Sequence, residues 1–269
     1  MPTFGKARLW RSDIGRLHKA QFRLCGVGDP GHFLRAEYFK KFTRRLSPRS
    51  ILDAGSGGGD YSFWMAEQWP HAVIDSVDIR DDFIIRNRQL QKDAGIPNIR
   101  FATLDITQLA AEAKYDLIVC IDALEHIVEQ ERVLRNFYSA LTPGGWLYLH
   151  IPLARPRDEP LKRYLAEFHR WVEEEHVGQE RTEDEVRQML RGCQFLIEEW
   201  QLTFHYYFGE LACSLSAMFF ENTARNRMVQ GLLVPLTRLL CYGDLAKART
   251  EGFAVAVLAQ KAARASPAA

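Results

Sequence analysis

Five carboxylates, a run of glycines and a few histidines carry whatever chemistry this chain does. Asp53-x-Gly55-x-Gly57-x-Gly59 lies within ILDAGSGGGD, Ile51 to Asp60. Bare backbone at a strand-to-helix junction lets main-chain N–H groups come close to a ligand, and the usual ligand is a nucleotide. A dinucleotide fingerprint, GxGxxG, would need a third glycine where Asp60 stands. Asp78 ends the run SVDI about 20 positions further on, where a carboxylate can accept both hydroxyl protons of a ribose. Asp105 ends FATLD in the same way. After YDLIVCI come Asp122, Glu125 and His126, two carboxylates and an imidazole at a spacing that permits a divalent cation without requiring one. Histidine, titrating near neutral pH, is the economical proton acceptor. His126, His150, His169 and His176 are the candidates, and His18 and His71 read as surface residues.

These residues need elements that bring them together. From Ser50 onward, short apolar or β-branched runs alternate with helical stretches, the pattern of parallel strands joined by right-handed crossovers. Strands are expected at 50–54, 73–78, 99–103, 115–121 and 145–151. Helices are expected at 61–68, 82–94, 127–140 and, in short form, 107–113, with Thr142-Pro-Gly-Gly145 breaking the last of the long ones. In TEDE, Thr182 and Glu185 form a capping box that opens a helix. Further strands are expected at 195–203 and 252–260, forming a terminal pair across an apolar helical insertion. His150, at the end of the fifth strand, lies where open α/β sheets bind ligands.

The 269 residues are 47% hydrophobic, enough for one full core with additions. Lys and Arg number 35 against 34 Asp and Glu, so no global basic field exists to hold nucleic acid. The five cysteines are scattered and form no CxxC pair, which argues against a disulfide framework or a thiolate zinc site and fits a reducing cytosol. No continuous apolar stretch has the length of a signal core or a membrane span, so a cytoplasmic, soluble protein is expected.

With Asp53, Gly55, Gly57 and Gly59 in the form D-x-G-x-G-x-G, and SVDI, FATLDIT, YDLIVCIDALEHI and LTPGGWLYLHIP following in order, the chain resembles the class I S-adenosylmethionine-dependent methyltransferases over roughly 50–260. The resemblance implies an α/β fold: a doubly wound, mostly parallel, seven-stranded Rossmann-like sheet with an N-terminal helical lid and a helical insertion before the last strand. It divides the chain into a lid at 1–48, a cofactor-binding core at 49–203, an apolar cover at 204–250, a final strand at 251–261 and a disordered tail at 262–269. It implies S-adenosylmethionine as cofactor, held by Asp53, Gly55, Ser56, Gly57 and Gly59. Asp78 would take the ribose, Ile79, Leu104, Asp105 and Ile106 the adenine, and Ile121, Asp122 and His126 the region of the transferring methyl. No metal is assigned. His126, His150 and His169 remain the candidates for catalysis.

The covering segments, CGVGDPGHFLRAEYFKKF before the first strand and the aromatic and aliphatic 204–241, suit a small lipophilic or aromatic acceptor, or one presented at a membrane surface. Oxygen is the favoured nucleophile, with nitrogen and carbon open. The alternatives are a non-methylating use of the same pocket, such as cyclisation, and a non-catalytic cofactor-binding partner subunit.

Overall fold

The structure, a computed structural model, describes residues 4–10, 15–154, 181–217, 224–246 and 250–263. Ile51, Leu52 and Ala54 are fully buried, because β1 (Ser50–Ala54) lies inside the sheet with both faces covered. Around it stand β2 (Val73–Asp78), β3 (Ile99–Thr103), β4 (Tyr115–Ile121), β5 (Leu141–Pro152), β6 (Phe195–Thr203) and β7 (Ala254–Lys261), in the order β3-β2-β1-β4-β5-β7-β6. The first five strands are parallel, and β7 is antiparallel to both β5 and β6. The doubly wound, mostly parallel, seven-stranded sheet read from the sequence is therefore present, including the terminal pair that joins Phe195 to Lys261 and Thr203 to Ala254. Strand order reverses between β1 and β4, and at such a switch point a crevice opens at the carboxyl ends of the strands.

Helices cover both faces. One face carries α1 (Arg16–Cys25), α2 (Pro30–Thr43), α3 (Asp60–Gln68) and α4 (Asp81–Ala94), with Leu34, Tyr38, Phe39, Phe63, Met65 and Ile84 in its core. The other carries α5 (Gln130–Ala140) and α6 (Glu183–Gly192), packed through Val133, Leu134, Phe137, Val186 and Leu190. Local chemistry sets their starts. Asp29 accepts the His32 N–H at 2.6 Å with Pro30 in the first turn of α2, and Thr182 and Glu185 complete the capping box of α6.

Between β6 and β7 lie α7 (Leu211–Ala217) and α8 (Ala224–Leu245). Asp244, fully buried, fixes them to α2: its carboxylate accepts the Tyr38 hydroxyl at 2.6 Å and the N–H groups of His205 and Gly209 at 2.7 and 3.0 Å. Three local expectations are corrected. The helix expected at 107–113 is only a 3-10 turn, Ile106–Gln108, capped by Asp105. Residues 127–129 precede α5 instead of belonging to it, behind a second 3-10 turn at Leu124–His126. The segment Thr142 to Gly145 ends the helix as expected, yet it lies within β5 as an irregularity in the β4–β5 register, where Leu141 and Trp146 face Tyr115 and Leu117.

Candidate active site

The glycine run turns the chain sharply at the end of β1. Gly55, Gly57 and Gly59 have φ of 75°, 49° and 78°, in the left-handed region that side chains disfavour. A Cβ on Gly55 would come within 2.4 Å of the Cβ of Ala123, so the turn after β1 touches the loop after β4. The Gly55 and Ser56 N–H groups donate to the Val77 carbonyl, each at 2.9 Å. The Gly57 N–H donates to Asp78 Oδ2 at 2.7 Å, and the Arg80 N–H donates to the other oxygen at 2.9 Å. A Cβ on Gly57 would meet nothing within 4 Å, so this glycine borders open space.

That space is a cavity of about 330 Å³. Of the residues anticipated from the sequence, Asp53, Gly55, Ser56, Gly57, Ile121 and Asp122 line it; Ala7, His32, Gly58, Asp60, Tyr61 and Leu90 complete the wall. Asp53 is buried, and the Ser62 hydroxyl donates to it. Burial pushes its carboxyl up to about 7, with the Ser62 bond opposing and the neighbouring Asp78 adding to the rise.

Asp122 stands just past β4 with φ of 46°, a strained conformation that Asp tolerates better than most residues. It forms an ion pair with Arg35 of α2, and its Oδ1 lies 2.5 Å from His150 Nδ1. Burial alone would raise its pKa, but Arg35 and His150 hold the carboxyl well below the usual range. His150 is 1% exposed, and its other ring nitrogen lies 3.1 Å from the Thr203 hydroxyl. The guanidinium of Arg35 also sits 5.5 Å from the centre of the Phe204 ring. This chain of contacts links α2, β4, β5 and β6.

A second pair reaches the cavity from α2 and α3. His32 Nε2 lies 3.4 Å from Asp60 Oδ2, and its ring stacks on Tyr61 at 5.9 Å between centroids. The Tyr61 hydroxyl is buried without a hydrogen bond, and burial keeps its proton in place.

Other anticipated residues lie outside the cavity wall. Asp78 pairs with Thr103 in the β2–β3 register, and the Leu104 N–H donates to the Asp78 carbonyl at 2.9 Å. Ile79, 67% exposed, and half-buried Leu104 and Asp105 thus share the open edge beyond β2 and β3, with Ile106 buried behind them. Gly59 caps α3. His150 is enclosed between Asp122 and Thr203, and His126 is exposed on its 3-10 turn. Glu125 is buried; burial, then Asp122, push its carboxyl well above the usual range, and its Oε2 makes no hydrogen bond. Asp122, Glu125 and His126 therefore face different surroundings, and among the described residues no group of three His, Cys, Asp or Glu side chains is placed to hold a metal ion. His169 and His176 lie outside the described residues, as do residues 264–269 of the expected tail.

The sequence reading passed over His32 and Arg35, both on α2. The N-cap Asp29 and the proline in the first turn are signals that could have marked its start, but they do not say which side chains the helix lowers onto the strand ends.

Comparison with known proteins places this architecture. The model of the methyltransferase domain family matches residues 31–199, more than half of the chain. The chain belongs to that family. It is 28% identical to a ubiquinone biosynthesis O-methyltransferase of Bordetella avium over 117 residues, 43% of this chain and 47% of that one. It is 30% identical to a trans-aconitate 2-methyltransferase of Rhodococcus jostii over 154 residues, 53% of this chain and 57% of that one. The chain spans about half the length of the curated relatives it matches. Among solved structures, the magnesium protoporphyrin IX methyltransferase of Synechocystis with bound S-adenosylhomocysteine shares the fold, with a TM-score of 0.53, 15% identity and coverage of 95% of this chain and 92% of that one.

The lining of the cavity fits S-adenosylmethionine. Asp53, Asp60 and Asp122 make the wall acidic, which suits a ligand bearing a sulfonium and an ammonium and opposes a pyrophosphate. The bare edge at Gly57 leaves room for the ligand to lie against backbone. A pH dependence follows if Asp53 faces the ammonium. The free protein holds a proton on Asp53 below about pH 7, and a cation binds the carboxylate form, so affinity falls as pH falls. Cofactor binding should weaken roughly tenfold from pH 7.5 to pH 6. Titration calorimetry of wild type and Asp53→Asn checks this: the variant should bind weakly at both pH values, with the step gone.

Proposed function

We propose that this methyltransferase moves a methyl group to a hydroxyl oxygen of a small lipophilic or aromatic acceptor. The His32–Asp60 pair on the cavity wall carries the reading, because a hydroxyl acceptor must lose a proton and an imidazole backed by a carboxylate takes it near neutral pH. When bound, S-adenosylmethionine supplies a methyl group on a positively charged sulfur, open to in-line displacement.

The chain's own residues have the following roles in this proposal. Asp53 and the backbone from Gly55 to Gly57, with Ser56, hold the amino-acid end of the cofactor. Asp78, kept in place by the Gly57 and Arg80 N–H groups, takes the ribose hydroxyls. Ile79, Leu104, Asp105 and Ile106 frame the adenine. Ile121 and Asp122 border the transfer site, with Asp122 oriented by Arg35 and His150. Residues 1–48 act as a lid, supported by Ala7 and His32 in the cavity wall and by the Arg35–Asp122 ion pair. Aromatic cover comes from Phe4, which packs edge-on against His32 and Tyr61. The O-methyltransferase among the relatives supports oxygen as the acceptor atom. A reducing, cytoplasmic setting is supported by the free thiols of Cys120, Cys193, Cys213 and Cys241.

The test is transfer of a labelled methyl group to a panel of lipophilic hydroxyarenes, polycarboxylates such as trans-aconitate, and secondary amines. The hydroxyarenes should exceed the other classes in kcat/KM by about tenfold or more. Preference for a carboxylate or an amine would replace the acceptor reading and leave the cofactor site as described.

A further inference from the structure

Each main-chain N–H of the glycine turn can be followed to the group that accepts it. The Gly55 and Ser56 N–H groups donate to the Val77 carbonyl, Gly57 donates to Asp78, and Gly59 donates to the Ser56 carbonyl at 2.9 Å. These bonds shape the turn, and the amides that make them have nothing left for a ligand. Gly58 differs. It is exposed on the cavity wall, and among the described residues its N–H has no acceptor.

The direction of that N–H is set from behind the turn. Asn87 of α4, fully buried, donates from Nδ2 to the Gly57 carbonyl at 2.8 Å. The same nitrogen packs against Gly59, where a Cβ would come within 3.0 Å of it. A trans peptide places its carbonyl and its N–H on opposite sides. The bond from Asn87 to the Gly57 carbonyl therefore turns the Gly58 N–H, which belongs to the same peptide, away from Asn87. Asp78 holds the peptide on the other side of Gly57, so neither plane can rotate without losing a bond to a side chain. The residue before Asn87 supplies charge. A Cβ on Gly58 would lie 3.8 Å from Arg86 Nη2, and the Phe83 ring, 5.0 Å from the guanidinium, supports that side chain.

We propose that the Gly58 N–H and Arg86 form the subsite for the carboxylate of S-adenosylmethionine, with Asn87 as the positioning residue that aims the amide. The rest of the wall shows why the carboxylate needs this place. Asp53, Asp60 and Asp122 suit the ammonium and the sulfonium of the cofactor and repel its one anionic group. An amide beside a guanidinium is the complement of a carboxylate, because charge-assisted hydrogen bonds are roughly twice as strong as neutral ones. The amino-acid end of the cofactor then lies against the backbone of 55–57 and is hydrogen-bonded at 58. The subsite rests on S-adenosylmethionine being the cofactor.

Amide hydrogen exchange of the full chain, read residue by residue by nuclear magnetic resonance, tests it without turnover. Saturating S-adenosylhomocysteine should slow exchange at Gly58 about tenfold or more, and its decarboxylated analogue, which keeps the amine, thioether and adenosine, should leave it unchanged. Calorimetry with the same two ligands reads the side chains. Arg86→Gln should lower S-adenosylhomocysteine affinity about 10- to 150-fold, while affinity for the analogue stays within about threefold of wild type. Asn87→Leu, which no longer aims the amide, should narrow the wild-type preference for S-adenosylhomocysteine over the analogue about tenfold. A merely structural role would weaken both ligands alike and keep that preference, which overturns the assignment. Unchanged exchange at Gly58 in wild type with S-adenosylhomocysteine bound overturns it too, and that measurement needs no variant to fold. Folded wild type that binds no S-adenosylhomocysteine contradicts the cofactor itself, and the subsite falls with it.

Discussion

His32→Ala lowers turnover ~10²–10⁴-fold, the usual contribution of a positioned proton acceptor, while S-adenosylhomocysteine affinity stays within about threefold of wild type. The expectation rests on placement: of the histidines considered, His32 lines the cavity and has a carboxylate, Asp60, beside its Nε2. His126, exposed on its turn, serves as the comparison, and His126→Ala should turn over within about threefold of wild type. His150 differs from both. With its nitrogens at Asp122 and Thr203 it acts as a positioning residue, and His150→Ala should lower the melting temperature along with turnover, because it leaves buried polar groups unpaired. Single-turnover rates complete the test: the loss in His32→Ala should appear in the transfer step itself. If His32→Ala instead weakens cofactor binding as much as turnover, His32 is a cofactor contact; if it leaves both near wild type, alignment alone drives transfer.

Asp78→Ala weakens S-adenosylhomocysteine binding by roughly 1.5–3 kcal/mol, about 10- to 150-fold, the scale for losing charge-assisted hydrogen bonds. Two effects combine. Removal of the carboxylate deletes the ribose acceptor, and it releases the Gly57 N–H that shapes the glycine turn. Asp78→Asn separates them, since its amide oxygen can still accept the Gly57 N–H while the charge is gone; it should recover part of the loss. Calorimetry on the three proteins reads the outcome. Unchanged affinity in Asp78→Ala would remove Asp78 from the cofactor site.

How much of this was legible in the residues depended on range. The apolar run before Asp53 and the alternation of strands and helices specified the sheet, because strands covered on both faces have no polar alternation to misread. The glycines were legible for a similar reason: positive φ at Gly55, Gly57 and Gly59 is a local demand with a local signature. The helix expected at 107–113 failed because Asp105 caps only a single turn, and a short segment has too few internal hydrogen bonds to outlast its cap. His32 was missed for a different reason. Its role comes from α2 packing over the strand ends, a contact between segments 28 residues apart at His32 and Asp60, and no local pattern encodes which face of α2 points down. His150 stood at the right strand end, yet its partner Thr203 lies on β6, brought near through β7. The outward apolar face of α8 was visible as a greasy stretch, but only the fold separates the leucines that pack from those that face outward.

The central claim is that the acidic, glycine-edged cavity between β1 and β4 receives S-adenosylmethionine. Titration calorimetry of the wild-type chain with S-adenosylmethionine, S-adenosylhomocysteine and the nicotinamide dinucleotides tests it most directly. Micromolar binding of the first two, with no heat from the dinucleotides, is the predicted result. Dinucleotide binding, or no binding of S-adenosylmethionine and S-adenosylhomocysteine by folded protein, would contradict it.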